Sequence, residues 1–86
     1  MKLAVWDTYV TTKEGGRMHF DILVPEAITD PAVVYQYGRD YLQSRHQEGQ
    51  ELAARECRFC HVEEATAPMV AAIGEKGYFI VEMEGC

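Results

Sequence analysis

Hydrophobic and polar residues alternate along Met18, Phe20, Ile22 and Val24, with His19, Asp21 and Leu23 on the opposite parity. That period of two predicts a strand over 17–24 with one face toward a core. The preceding run KLAVWDTYV, residues 2–10, is rich in β-branched and aromatic residues and predicts its hairpin partner. The intervening TTKEGG ends in Gly15-Gly16, which supplies the positive φ that a hairpin turn needs. VPEAITDP breaks the second strand. Thr29 or Asp30 then caps a helix that has Pro31 in its first turn and runs to about residue 45. Val34, Tyr37, Tyr41 and Leu42 form its apolar stripe, and Gly49 stands where a terminator is needed. Gly38 inside it costs about 1 kcal/mol relative to alanine. Residues 52–62, LAARECRFCHV, predict a third strand. A second helix opens at Thr66 and Pro68, carries Met69, Val70 and Ile73, and ends at Gly77. Residues 78–83, YFIVEM, predict the last strand.

The order β-β-α-β-α-β predicts an α+β fold. We expect a two-layer sandwich whose four-stranded, mostly antiparallel sheet packs one face on two helices. The other face is expected to be wholly or partly open, and Trp6, Tyr9 or Leu23 on it would favour self-association into a homo-oligomer. Eighty-six residues make one domain, 1–86, and 48 % hydrophobic content is enough for a core without disulfide staples.

The net charge of −6 argues against nucleic acid and against an anionic membrane surface, both of which call for a basic face. The apolar runs, such as YFIV at 78–81, are far below the ~18 residues needed to span a bilayer. MKLAVWDTYV is too short in apolar residues for a signal-peptide core, so a cytoplasmic protein is expected. Three cysteines in a reducing compartment are expected as free thiols or ligands rather than as a disulfide framework.

Two constellations carry chemistry. Asp7, His19 and Asp21 fall on one sheet face if Asp7 pairs opposite His19, a register favoured because a core rejects Asp7. Such a cluster supports proton transfer or metal ligation, against the plainer reading of polar cross-strand pairing on a solvated face. The second is ECRFCH, residues 56–61. C-x-x-C-H is the local signature of covalent haem attachment, and C-x-x-C is that of a redox dithiol or of half a zinc site. Candidate zinc ligands are Cys57, Cys60 and His61, with His19, His46 or Cys86 arriving from elsewhere. In an extended strand Cys57 and Cys60 point to opposite faces, so sharing an ion requires a turn at Arg58-Phe59. The favoured reading is a plain strand in which Cys57 and Phe59, or else Cys60 and Val62, face the core, the cysteine packing as a small hydrophobe, and His61 ends the strand. Glu82 and Glu84 offer a carboxylate pair on one strand face, with a solvated edge the favoured reading, and Tyr35, Tyr37 and Tyr41 read as helix packing.

Taken together, VWDTYV (5–10), MHFD (18–21), ECRFCH (56–61) and GYFIVEMEGC (77–86) resemble a family of small bacterial proteins known as domain of unknown function, number 2024. The resemblance covers most of the chain in the same order. It implies a compact α+β domain forming the whole protein, and it brings no activity, substrate or cofactor. It also implies that Asp7, His19, Asp21, Cys57, Cys60, His61 and Cys86 belong to the family's pattern. With no phosphate loop and no hydrolase motif, the leading expectation is a non-catalytic binding or self-associating module. A metal- or thiol-dependent site at Cys57, Cys60 and His61, and a proton-transfer site at Asp7, His19 and Asp21, stand as alternatives.

Overall fold

The computed structural model describes all residues, Met1–Cys86. Six elements follow the expected order: β1 (Leu3–Thr11), β2 (Arg17–Pro25), α1 (Pro31–Ser44), β3 (Leu52–Val62), α2 (Ala67–Lys76) and β4 (Phe79–Glu84). The four strands form one antiparallel sheet in the spatial order β3-β1-β2-β4. The β1–β2 hairpin is therefore its centre. Its turn is closed by Gly15, at φ 87°, whose N–H donates to the Thr12 carbonyl at 3.0 Å.

Helix α1 begins as its sequence requires. The Asp30 carboxylate accepts from the Ala32 N–H at 3.0 Å and Pro31 occupies the first turn. Its terminator is not Gly49. His46 takes the left-handed conformation, φ 61°, and the Gln47 N–H donates back to the Leu42 carbonyl at 2.8 Å. Gly38 proves to be a packing residue: a Cβ there would lie 2.9 Å from Leu52 Cδ2 and 3.3 Å from Ile22 Cδ1. The glycine lets the helix lie close to the sheet.

The two helices lie on opposite faces, not on the one face expected for both. Val34, Tyr41 and Leu42 of α1 pack with Ala4, Trp6, Val10, Met18, Phe20, Ile22 and Val24 in the main core. Met69 and Ile73 of α2 pack on a smaller cluster of Leu3, Val5 and Leu23 on the other parity. The connections explain this. Helix α1 carries the chain from β2 past β1 to one sheet edge, and α2 returns it across the whole sheet to β4. Each crossover needs a face, and Val5 and Leu23 are the apolar residues that receive the second. Val70 of α2 turns outward and is exposed.

The tyrosines of α1 pack rather than present a platform. Tyr41 tilts against Phe20, with ring centroids 4.7 Å apart, and its hydroxyl donates to Glu82. Burial, then that hydrogen bond, pushes the Tyr41 hydroxyl above its usual range. Tyr37 stacks on Tyr78. The Tyr35 hydroxyl meets both the N–H and the C=O of Ala54 at 3.2 Å, covering part of the exposed β3 edge. Glu82 pairs with Phe20 and Glu84 with His19 across an irregularity in the β2–β4 ladder. Both glutamates are exposed on this edge strand, as the favoured reading expects, and they pair with residues on opposite faces rather than forming a carboxylate pair on one. No helix is long and apolar enough to cross a membrane.

Candidate functional site

The hairpin register positions the first constellation. Asp7 pairs with Asp21 and Tyr9 with His19. This is two residues from the pairing expected, Asp7 opposite His19. A slip of two preserves side-chain parity, so Asp7, His19 and Asp21 still share a face. It is the face on which α2 covers Leu3, Val5 and Leu23, and the three polar residues occupy the half that α2 leaves open.

One ligating atom from each of Asp7, His19 and Asp21 lies within 4.8 Å of the other two, and all three side chains are partly buried. His19 Nε2 is 2.5 Å from Asp7 Oδ1. The His19 ring stacks on Tyr9, with centroids 4.3 Å apart and planes 11° apart. The Arg17 guanidinium lies 4.3 Å from the Tyr9 centroid. Strand pairing also brings Arg55 of β3 opposite Asp7. Burial, and next the negative charge of Asp7, push the Asp21 carboxyl above its usual value of 3.8, against the opposing pull of His19. A cavity of about 400 Å³ adjoins the cluster and is lined by Asp7, Tyr9, Tyr35, Ala53, Ala54 and Arg55. Arg17 and Arg55 escaped the sequence reading. Their signal was parity, since Arg17 lies two residues from His19 on the same strand.

ECRFCH departs from a plain strand. Val5 pairs with Cys57 and Leu3 with Val62, so β3 advances five residues while β1 advances two. The surplus bows out of the ladder as a bulge. Cys57 and Cys60 are joined in a disulfide, with Cα atoms 5.3 Å apart. This corrects two expectations. These cysteines are not free thiols, and they do not pack into the core: Cys60 is exposed and Phe59 fully so. The turn at Arg58-Phe59 that a shared ligand would need is present.

The residues expected as zinc ligands fall in four places. Cys57, Cys60 and His61 lie on the β3 edge, and His61 is exposed. His19 lies on β2, two strands away. Cys86 follows β4 at the opposite edge, a free thiol that donates to the His19 backbone carbonyl at 3.6 Å. Arg45 holds the Cys86 carbonyl oxygen. The C-terminal cysteine is thus docked, beside β2 rather than beside ECRFCH. His46 is exposed and terminates α1.

A family model described as "Domain of unknown function (DUF2024)" matches residues 1–83. Among solved structures, the NMR structure of protein NE1680 from Nitrosomonas europaea, a Northeast Structural Genomics Consortium target, is similar at a TM-score of 0.77 and 36 % identity. The match covers 100 % of this chain and 99 % of that one. Among curated proteins, none matches the chain.

Proposed function

The chain belongs to the DUF2024 family of domains of unknown function, and we propose that it is a binding module whose ligand is a divalent transition-metal cation. His19 Nε2 and the carboxylates of Asp7 and Asp21 would hold the ion. The observation that carries this reading is the convergence of three ligating atoms within 4.8 Å on two adjacent strands. Electrostatics supports it. Two carboxylates beside one imidazole place like charges close together, which with burial raises the Asp21 pKa above 3.8, and a dication relieves that repulsion. One imidazole with two carboxylates suits zinc or manganese better than magnesium, which binds poorly to imidazole. The Tyr9 stack fixes the ring that would donate the nitrogen.

Binding is read by calorimetry and thermal unfolding with zinc chloride, in a Cys86→Ser background that removes the free thiol. Zinc at a hundredfold excess over its dissociation constant should stabilise the fold by about 2.7 kcal/mol. His19→Ala should abolish that increment. An unchanged zinc isotherm in His19→Ala would remove this site from consideration.

The short Asp7–His19 contact and the adjoining cavity favour a second reading, proton transfer on a small molecule bound against Arg55. Metal-free fragment screening by NMR separates the two. Perturbations centred on Tyr9, Ala53 and Arg55 would support proton transfer, and silence there would leave the cation.

A further inference from the structure

Cys57 and Cys60 take no part in the Asp7–His19–Asp21 cluster, yet β3 departs from regular pairing at these residues. Residues three apart in a regular strand are separated by about 10 Å. Here the Cα atoms of Cys57 and Cys60 are 5.3 Å apart and the sulfurs are bonded. The bow lies on an edge strand, so no further strand covers it. Arg58, Phe59, Cys60 and His61 are exposed, whereas Cys57 is half-buried. Exposed disulfides are the ones that exchange most readily. This one stands on the rim, with Cys60 exposed and a cationic Arg58 between the two cysteines, which favours thiolate forms.

We propose that Cys57–Cys60 is a reversible thiol–disulfide exchange site whose co-reactant is a dithiol. A thiolate of the reductant attacks Sγ of Cys60, the more exposed of the two cysteines. The Cys57–Cys60 bond breaks, and its electron pair leaves with Cys57 as a thiolate, which takes a proton. Cys60 and the reductant are then joined in a mixed disulfide. The second thiolate of the reductant attacks its own sulfur in that bond and expels Cys60 as a thiolate, which is protonated in turn. Two electrons and two protons have passed from the dithiol, now a disulfide, to Cys57 and Cys60. The reverse sequence oxidises a substrate dithiol. The fully exposed Phe59 at the tip of the bow gives a protein dithiol an apolar contact beside the attacked sulfur.

The test uses the air-oxidised chain in native buffer, treated with dithiothreitol or with thioredoxin as a protein dithiol, then acid-quenched, alkylated in denaturant and weighed. One of the three cysteines should be alkylated before reduction and all three after. Native reduction should proceed within about tenfold of the rate for the unfolded chain, because access is not limiting. Faster reduction by thioredoxin than by dithiothreitol at equal thiol concentration would identify the source as a protein. In a Cys86→Ser background treated with oxidised glutathione, Cys57→Ser should form the mixed disulfide at Cys60, releasing one reduced glutathione, about tenfold faster than Cys60→Ser forms one at Cys57, following exposure. Three outcomes overturn the proposal. They are three free thiols after air oxidation, reduction only once the chain unfolds, and a stoichiometric zinc that shields both thiols until a chelator is added.

Discussion

Asp7 and Asp21 stand directly opposite each other in the β1–β2 ladder, and like charges so placed oppose folding when both are ionised. The folded chain holds a proton on Asp21 more tightly than the usual value of 3.8, chiefly through burial and then through Asp7. The unfolded chain does not. The cost is therefore fully present above the raised folded pKa, and it is relieved as pH falls through that value toward 3.8. Asp21→Asn removes it. In metal-free buffer at pH 7 the variant should be more stable by about 0.5 kcal/mol, or roughly 2–4 °C in Tm. That advantage over the parent should fade by about pH 4. Paired melts at the two pH values check this, and a gain that grows on acidification would contradict it. With zinc present the sign should reverse, because the substitution deletes a ligand. Such opposition between stability and chemistry is expected where a site has been kept for binding. The clustering itself was legible: alternation placed Asp7, His19 and Asp21 on one parity. Their pairing was not, since a register slip of two leaves every side chain on its face.

Among the elements, strand and helix extents followed from periodicity, whereas their terminators and irregularities did not. Gly49 looked like the stop for α1, but the left-handed residue is His46. Histidine is enriched in that conformation, although at a steric cost that glycine avoids. His46→Gly should therefore raise stability by about 0.5–1 kcal/mol, after allowing for the freer unfolded chain. A urea denaturation midpoint that stays or falls would show that the imidazole contributes something the backbone argument omits. The β3 bow was illegible for a different reason. ECRFCH contains no glycine or proline to mark it. The surplus residues are defined only against β1, more than forty positions earlier, where Leu3 and Val5 dictate where pairing resumes. A non-local ladder leaves no local signature, so a strand read over 52–62 has the right ends and the wrong shape.

For the whole molecule, the two crossovers decide which surface remains open. Self-association was expected from an open face carrying Trp6, Tyr9 or Leu23. Trp6 faces α1 at 6 % exposure, and Leu23 lies under α2 at 2 %. Only Tyr9 stays on the uncovered half, and His19 and Arg17 lie against its ring. The apolar residues Val5 and Leu23, set among Asp7, His19 and Asp21 on the same parity, were the trace of a second small core. The sheet edges are guarded as well. Tyr35 occupies both edge-facing polar groups of Ala54 on β3, and β4 spans only six residues. The large exposed hydrophobics, Met1, Phe59, Val70 and Met83, come from separate elements. A net charge of −6 on 86 residues adds repulsion between copies at low salt. Light scattering during size-exclusion chromatography should therefore return the monomer mass of 9.8 kDa in its oxidised, metal-free form, without dependence on concentration. Three aromatic residues outside the cores are exposed or half-buried, Tyr9, Tyr35 and Phe59; Tyr35 is engaged on Ala54, so a dimer under those conditions would direct attention to Tyr9 and Phe59. If Tyr9→Ala then restored the monomer while Phe59→Ala did not, the uncovered half of the sheet would be the interface. The Asp7–His19–Asp21 cluster would lie between subunits rather than open to a free ion.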